Sequence, residues 1–87
     1  TKSLALEAAP HGVRVNCVCP GDVATPMLDR QLQKNPELSI ASMKALYPLY
    51  RIAEPEEIAK AAVFLLGENA SFITAVALPV DGGLTSW

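Results

Sequence analysis

The residues best suited to hold a ligand are Pro20, Gly21, Val23 and Thr25, which follow a predicted strand. Glycine lets backbone approach a ligand closely, the Val23 amide and carbonyl can pair with a planar amide, and the Thr25 hydroxyl can hydrogen-bond. In open α/β sheets, ligands sit beyond the carboxyl ends of strands, where this segment falls. A structural interpretation is also open: Pro20 and Gly21 end the strand, and Thr25 caps the helix that Pro26 begins.

Histidine and acidic side chains offer no convincing catalytic pair. His11 lies in a Pro-His-Gly turn at the opposite end of the same strand, which favours an exposed or structural role. Glu56 and Glu57 are adjacent on a predicted helix and therefore do not face each other. Nothing in the sequence brings Asp29 and Glu37 across a cleft. These carboxylates are interpreted as surface groups or as charges that stabilise a helix N-terminus.

Metal and disulfide chemistry is not expected either. Cys17 and Cys19 lie two apart on an extended strand, about 6.6 Å from each other, which is poor geometry for a disulfide. They are expected to be reduced, buried small hydrophobes. Asp81, followed by two glycines, is interpreted as a turn that anchors the C-terminus near the base of the helical segment before it, because a metal site needs more oxygen ligands.

Composition and charge exclude several classes of function. The chain has 87 residues, 51% hydrophobic, with a net charge of -2 and no cluster of basic residues. This pattern argues against binding to nucleic acid or to an anionic membrane surface. No apolar run approaches the roughly 18 residues that span a bilayer, and the first residues do not resemble a signal peptide, so a cytoplasmic location is expected.

Hydrophobic periodicity predicts helices alternating with strands. Residues 13–19 predict a strand, and residues 22–54 then form an excursion far longer than ordinary connections of about 2 to 6 residues. Two short helices are predicted within the excursion. One starts at Thr25-Pro26 and the other at Asn35-Pro36.

A strong helix is predicted from Pro55 to Leu66, with an apolar stripe ending at Gly67 as C-cap, and residues 75–80 predict a second strand. Pro79 cannot donate to a central ladder, so this strand should lie at a sheet edge. Helical crossovers join parallel strands, so the two strands should be parallel. Two strands make too small a sheet to be covered on both faces, so further strands are expected from an N-terminal portion or another chain.

Several segments together resemble the short-chain dehydrogenase/reductase family. They are TKSLALE, GVRVN, PG-x-V-x-T, Arg51 with PEEIA, SFIT and VDGG. The resemblance implies an α/β fold, the C-terminal part of a Rossmann-like doubly wound parallel sheet, formed by residues 1–87 with 22–54 as a helical substrate lid. Ala53 and Ala75 stand where the family usually has glycine.

The resemblance also implies roles for residues. Pro20, Gly21, Val23 and Thr25 would hold the nicotinamide half of NAD or NADP. Arg51 would brace the last helix, although from the residues alone it could also form a solvated pair with Glu56 or Glu57 that adds little stability. A substrate lid would be formed by Met27, Leu28, Leu32, Leu46, Tyr47, Leu49 and Tyr50. About half of these lid residues are expected to be simple packing residues. The family's catalytic tyrosine and lysine would lie upstream of Thr1, so no catalytic residue is expected in this chain.

Two functions of different class follow. The first is part of an NAD(P)-dependent oxidoreductase that moves hydride between the cofactor and a small alcohol or ketone. The second is a noncatalytic fragment that acts only through self-association. In both cases a homo-oligomer, or association with a missing N-terminal portion, is expected, and the isolated chain is predicted to be inactive.

Overall fold

The computed structural model describes residues 1–35 and 39–86, which alternate between helices and strands as predicted for an α/β fold. The elements are α1 (Lys2–Ala8), β1 (Cys17–Pro20), α2 (Pro26–Lys34), α3 (Ile40–Lys44), α4 (Pro55–Leu66) and β2 (Ala77–Val80). Three single-turn 3₁₀ helices lie at Ala9–His11, Glu68–Ala70 and Leu84–Ser86. None of the described helices is both long and apolar enough to cross a membrane.

The two strands pair in parallel, which confirms the predicted crossover. Cys17 is aligned with Ala77 and Pro20 with Val80. Both strands of this two-stranded sheet are edge strands, so the expectation from Pro79 that β2 lies at the edge of a larger sheet stays a prediction.

Both strands are shorter than predicted because side chains replace ladder bonds at their start. The Val15 amide donates to the Thr74 hydroxyl at 3.1 Å, and the Val76 amide donates to the Asn16 side-chain oxygen at 3.0 Å. Ala75 has a φ of 62°, which turns the chain out of the extended conformation before β2 begins. Residues 13–16 and 75–76 therefore lie outside the regular strands.

Helix α4 has the predicted bounds, and its two ends are closed by side chains. At its start the Glu57 carboxylate accepts from the Glu54 amide at 3.0 Å. At its end Gly67 occupies the C-cap position with a φ of -90°, so the left-handed cap expected of glycine is not formed. Instead the Arg14 guanidinium donates to the carbonyls of Leu65 at 2.7 Å and of Gly67 at 3.2 Å.

One of the two predicted helix starts in the excursion is wrong. Thr25 caps α2 as predicted, with its hydroxyl oxygen accepting from the Leu28 amide at 3.3 Å. Asn35, however, is the C-cap of α2, and α3 begins at Ile40 behind Ser39, which forms a reciprocal capping box with Ser42. The proline of the predicted start, Pro36, lies outside the described residues.

The fold leaves much apolar surface uncovered. The chain exposes 6389 Å², against about 5,000 Å² expected for a folded monomer of 9.3 kDa. Its radius of gyration is 15.9 Å, against about 12 Å for a compact domain of this length. Phe72 and Leu66 are almost wholly exposed. Cys17 is only half-buried and Cys19 is exposed, so the prediction of buried cysteines is wrong for this chain.

Candidate functional site

The predicted ligand-binding segment, residues 20–25, turns away from the carboxyl end of β1. The Gly21 amide still donates to the Val80 carbonyl at 3.2 Å. A Cβ atom on Gly21 would lie 2.8 Å from the Tyr47 ring, closer than real Cβ contacts, and 3.3 Å from the Asp81 Cα, which is tight. Glycine therefore suits this position chiefly because the buried Tyr47 ring packs directly against it.

Val23 is held on one side and left open on the other. It forms an isolated parallel bridge with Ala53, in which the Ala53 amide donates to the Asp22 carbonyl at 2.9 Å. The Ala53 carbonyl accepts from the Ala24 amide at 2.8 Å. In a parallel bridge these bonds flank the central residue, so the Val23 amide and carbonyl point away from Ala53. Within residues 1–35 and 39–86 neither group has a hydrogen-bond partner.

Thr25 combines the cap with spare hydrogen-bonding capacity. Its hydroxyl oxygen accepts the α2 cap bond described above, while the hydroxyl hydrogen has no acceptor in the described part of the chain. The side chain is half-buried. A hydroxyl donates one hydrogen bond and accepts two, so capping leaves the donor available for a ligand.

Tyr47 is the most closely engaged side chain of the region. It is 3% exposed, and its hydroxyl donates to Asp22 Oδ2 at 2.6 Å while accepting from the Asp22 amide at 2.7 Å. Burial, reinforced by the hydrogen bond to Asp22, raises the pKa of the Tyr47 phenol above its ordinary value. The phenol therefore stays protonated and keeps donating. Neither Asp22 nor this pairing was predicted, because the two residues are 25 positions apart.

The turn after β2 anchors the end of the chain, as the sequence predicted. Asp81 accepts from the Thr85 hydroxyl at 2.8 Å and from the amides of Thr85 and Gly83. The hydrogen bond from the Thr85 hydroxyl, with those from the amides, holds the pKa of the Asp81 carboxyl below its ordinary value. The Leu49 amide donates to the Gly82 carbonyl at 3.1 Å, which ties this turn to the excursion.

Arg51 braces the last helix, as the resemblance implied. Its guanidinium donates two parallel hydrogen bonds to Glu57, at 2.6 and 2.7 Å. The hydrogen bond from Arg51, with that from the Glu54 amide, lowers the pKa of Glu57 to about 2. The neighbouring Glu56 is exposed and does not take part.

The predicted lid residues divide into a packed and an exposed group. Leu28 and Tyr47 are buried and Leu32 is half-buried. The exposed members, between 55% and 69%, are Met27, Leu46, Leu49 and Tyr50. A cleft of about 430 Å³ lies between residues 47–53, Gly21 and the turn at Asp81. Val23 and Thr25 do not line it.

The remaining candidates lie apart from this region. His11 is exposed in the 3₁₀ turn before β1, at the opposite end of that strand. Asp29 lies in the first turn of α2, and its imagined partner Glu37 lies outside the described residues. Among residues 1–35 and 39–86 no cluster of three or more histidine, cysteine or acidic side chains could hold a metal ion.

Comparison with known proteins places the whole described chain within one group of proteins. A family model described as Enoyl-(Acyl carrier protein) reductase matches residues 1–85. The Short-chain dehydrogenase anuF of Penicillium roqueforti is 48% identical over 85 residues, which make up 98% of this chain and 30% of that protein.

Solved structures of similar proteins superpose on the whole chain. A short chain dehydrogenase family protein from Francisella tularensis superposes with a TM-score of 0.93 at 41% identity, covering 100% of this chain and 39% of that one. ElxO with NADP bound superposes with a TM-score of 0.88 at 33% identity, covering 100% of this chain and 35% of that one. The chain thus spans about a third of the length of the relatives that it matches.

Proposed function

Because the chain belongs to the short-chain dehydrogenase/reductase family, we propose that it is the C-terminal part of an NAD(P)-dependent oxidoreductase. In this role it binds the nicotinamide half of the cofactor and forms the lid over a small alcohol or ketone. The observation that carries the proposal is Val23, whose amide and carbonyl have no partner among the described residues at the carboxyl end of β1. A relative solved with NADP bound supports the class of cofactor.

The residues present suit a nicotinamide carboxamide. This group is planar, with one acceptor oxygen and one NH₂ donor, which complement the Val23 amide and carbonyl respectively. Gly21, which has no side chain, leaves room for Tyr47 to pack against the backbone before Val23, and the spare Thr25 donor reaches the carboxamide or the pyrophosphate. When bound, NAD(P) supplies or accepts the hydride.

The protein residues bind, orient and exclude water. Val23 and Thr25 fix the orientation of the nicotinamide ring relative to the sheet. The exposed lid residues Met27, Leu46 and Tyr50 offer apolar surface that closes over the substrate and shields the hydride from solvent. Proton transfer is assigned to a tyrosine and a lysine outside this chain, so the isolated 87 residues are proposed to be inactive.

The test is a titration of the complete protein with NADH and NADPH, followed by nicotinamide fluorescence, and an absorbance assay of turnover with short alcohols and ketones. We expect saturable binding of at least one cofactor and turnover that the isolated chain lacks. A complete protein that binds neither cofactor contradicts the proposal. Turnover by the pure 87-residue chain contradicts the assignment of the catalytic groups.

Association with further protein is proposed as well, as an N-terminal portion or a second copy. The excess of exposed area, 6389 Å² against about 5,000 Å², supports it, as do the uncovered Leu66 and Phe72. Sedimentation of the isolated chain should give oligomers or a poorly folded species. A compact monomer that unfolds cooperatively contradicts this part of the proposal.

A further inference from the structure

The predicted ligand-binding turn, residues 20–25, is held by hydrogen bonds from the C-terminal end of the excursion. Residues 47–53, here called the lid base, contact the turn twice. Tyr47 hydrogen-bonds both the amide and the carboxylate of Asp22, and Ala53 bonds the Asp22 carbonyl and the Ala24 amide. Every one of these bonds is made by a residue next to Val23 and none by Val23 itself. The lid base therefore fixes the direction of the Val23 amide and carbonyl without occupying them.

The contacts made by Ala53 and by Tyr47 differ in whether they depend on the identity of the side chain. Ala53 acts through backbone groups, which any residue supplies, whereas Tyr47 acts through a hydroxyl. The Tyr47 ring also packs against Gly21, where a Cβ would lie 2.8 Å from Cε1. A side chain that is 3% exposed and makes two hydrogen bonds of 2.6 and 2.7 Å has little freedom to move. It transmits the position of the lid base to the turn.

We infer that Tyr47 is a positioning residue for the nicotinamide: through Asp22 it sets the backbone of the turn so that Val23 meets the carboxamide. This inference rests on the proposed function and deepens it. On this inference, the affinity gained from the nicotinamide end of the cofactor depends on a lid residue that does not touch the cofactor. The adenine and pyrophosphate ends should be unaffected.

The test compares ligands that share the adenosine end but differ at the nicotinamide end, using the complete protein. Tyr47→Phe removes the hydroxyl and keeps the ring that packs on Gly21. We expect it to weaken NAD(P) binding about tenfold, the scale of one or two lost hydrogen bonds, while ADP-ribose, or its phosphorylated form, binds within about twofold of wild type. Acetylpyridine adenine dinucleotide, which lacks the carboxamide NH₂, should show a smaller loss, about threefold.

A matched pair of substitutions at Asp22 tests the other half of the contact. Asp22→Ala removes the acceptor for the Tyr47 hydroxyl and leaves the bond from the Asp22 amide, so a partial loss of about threefold is expected for NAD(P) alone. Asp22→Asn keeps an acceptor oxygen and should restore most of the affinity. If Tyr47→Phe fails to fold, this pair carries the same test.

The outcomes separate the inference from the proposed function. Equal weakening of NAD(P) and ADP-ribose would mean that Tyr47 only stabilises the fold, and unchanged NAD(P) binding would mean that it has no role in binding; either result overturns the inference. A wild-type protein that binds ADP-ribose but shows no added affinity for NAD(P) overturns the inference and the proposed contact of Val23 together. Wild type that binds none of these ligands overturns the proposed function.

Discussion

At both ends of the β1–β2 pair, side chains from elsewhere in the fold hydrogen-bond irregular backbone, but the two ends differ in the backbone groups that stay unpaired. At the amino end, Arg14 and Asn16 reach from the segment before β1 to bond backbone carbonyls at and beyond the end of α4, including that of Ile73. At the carboxyl end, Tyr47 reaches from the lid base to bond the backbone of Asp22. Both ends therefore use side chains to fix irregular backbone next to a short strand.

The two ends differ in whether backbone groups remain without hydrogen-bond partners. At the amino end Arg14 gives the Leu65 carbonyl, at the end of α4, a donor that it would otherwise lack in the described chain, and Arg14 and Asn16 together bond the Ile73 carbonyl. At the carboxyl end the bonds surround Val23 but leave its amide and carbonyl without partners in the described chain. Unpaired backbone groups are costly unless solvent or a ligand satisfies them. The bonds at the amino end therefore serve stability, whereas the unpaired groups at the carboxyl end are the ones that we propose to meet the cofactor.

The largest effect should come from breaking the amino end. Arg14→Met removes three hydrogen bonds: the Leu65 carbonyl loses its donor, while the Gly67 carbonyl keeps the Ala70 amide and the Ile73 carbonyl keeps the Asn16 side chain. We expect the free energy of unfolding of the complete protein to fall by about 1 to 3 kcal/mol. Urea denaturation measures it. Cofactor affinity of the folded variant should be unchanged.

Arg14→Lys is the control, because one ammonium group on a flexible stem cannot reach all three carbonyls and should recover only part of the loss. If Arg14→Met weakens cofactor binding as much as it weakens folding, the assignment of separate roles to the two ends is wrong.

The next effect should come from the carboxyl end. Thr25→Ala removes the spare donor proposed to meet the cofactor, and we expect binding to weaken by about 0.5 to 1.5 kcal/mol. Loss of the α2 cap should lower stability by about 1 kcal/mol in addition. Nicotinamide fluorescence and denaturation separate the two. Thr25→Ser keeps the hydroxyl and should keep both; an unchanged dissociation constant for Thr25→Ala would leave only the cap.

A smaller effect of opposite sign is expected where β2 begins. Ala75 has a φ of 62°, which costs a residue with a Cβ more than glycine. Ala75→Gly should therefore raise the free energy of unfolding by about 1 kcal/mol. Ala77→Gly, two residues later within β2, should lower it by about 0.5 to 1 kcal/mol, because glycine weakens a strand. Destabilisation by both would show that Ala75 is not strained.

The smallest effect should be a change in acid sensitivity. The pKa of Glu57 falls from 4.5 to about 2 on folding, so the unfolded chain takes up the proton first. Its contribution to stability is present above about pH 4.5 and is lost as the pH falls from 4.5 towards 2. Glu57→Gln should make the loss of stability over this range shallower, as measured by denaturation at stepped pH. Glu56→Gln should keep the wild-type slope, and an equally steep loss in Glu57→Gln would contradict the role of the ion pair.

Local signals made the regular elements predictable. Pro55 and the apolar stripe that ends at Leu66 located α4, and Thr25-Pro26 located the start of α2, because caps and periodicity act within one or two turns. The same signal misled at Asn35, where the capping box of Ser39 and Ser42 starts the helix instead. A sequence can hold several possible caps, and tertiary packing selects among them.

Contacts between distant segments could not be predicted in the same way. The turn at Pro20 and Gly21 could be predicted from its residue types and from the resemblance. The contacts that the lid base makes with this turn could not. Tyr47 gave only the signal of an apolar lid residue, and Asp22 gave none, since their pairing depends on the return path of the excursion. The role of Arg14 was likewise not predictable, because nothing near it in sequence indicates a helix end 51 residues later.

The most direct test of the central claim is a spectroscopic titration of Val23 in the complete protein, with valine labelled at its amide and carbonyl. Addition of NAD(P) should shift both Val23 signals in proportion to occupancy, whereas ADP-ribose should leave them in place, because only the carboxamide is proposed to meet this residue. Val23 signals that do not respond to saturating NAD(P), or that respond equally to ADP-ribose, would contradict the account.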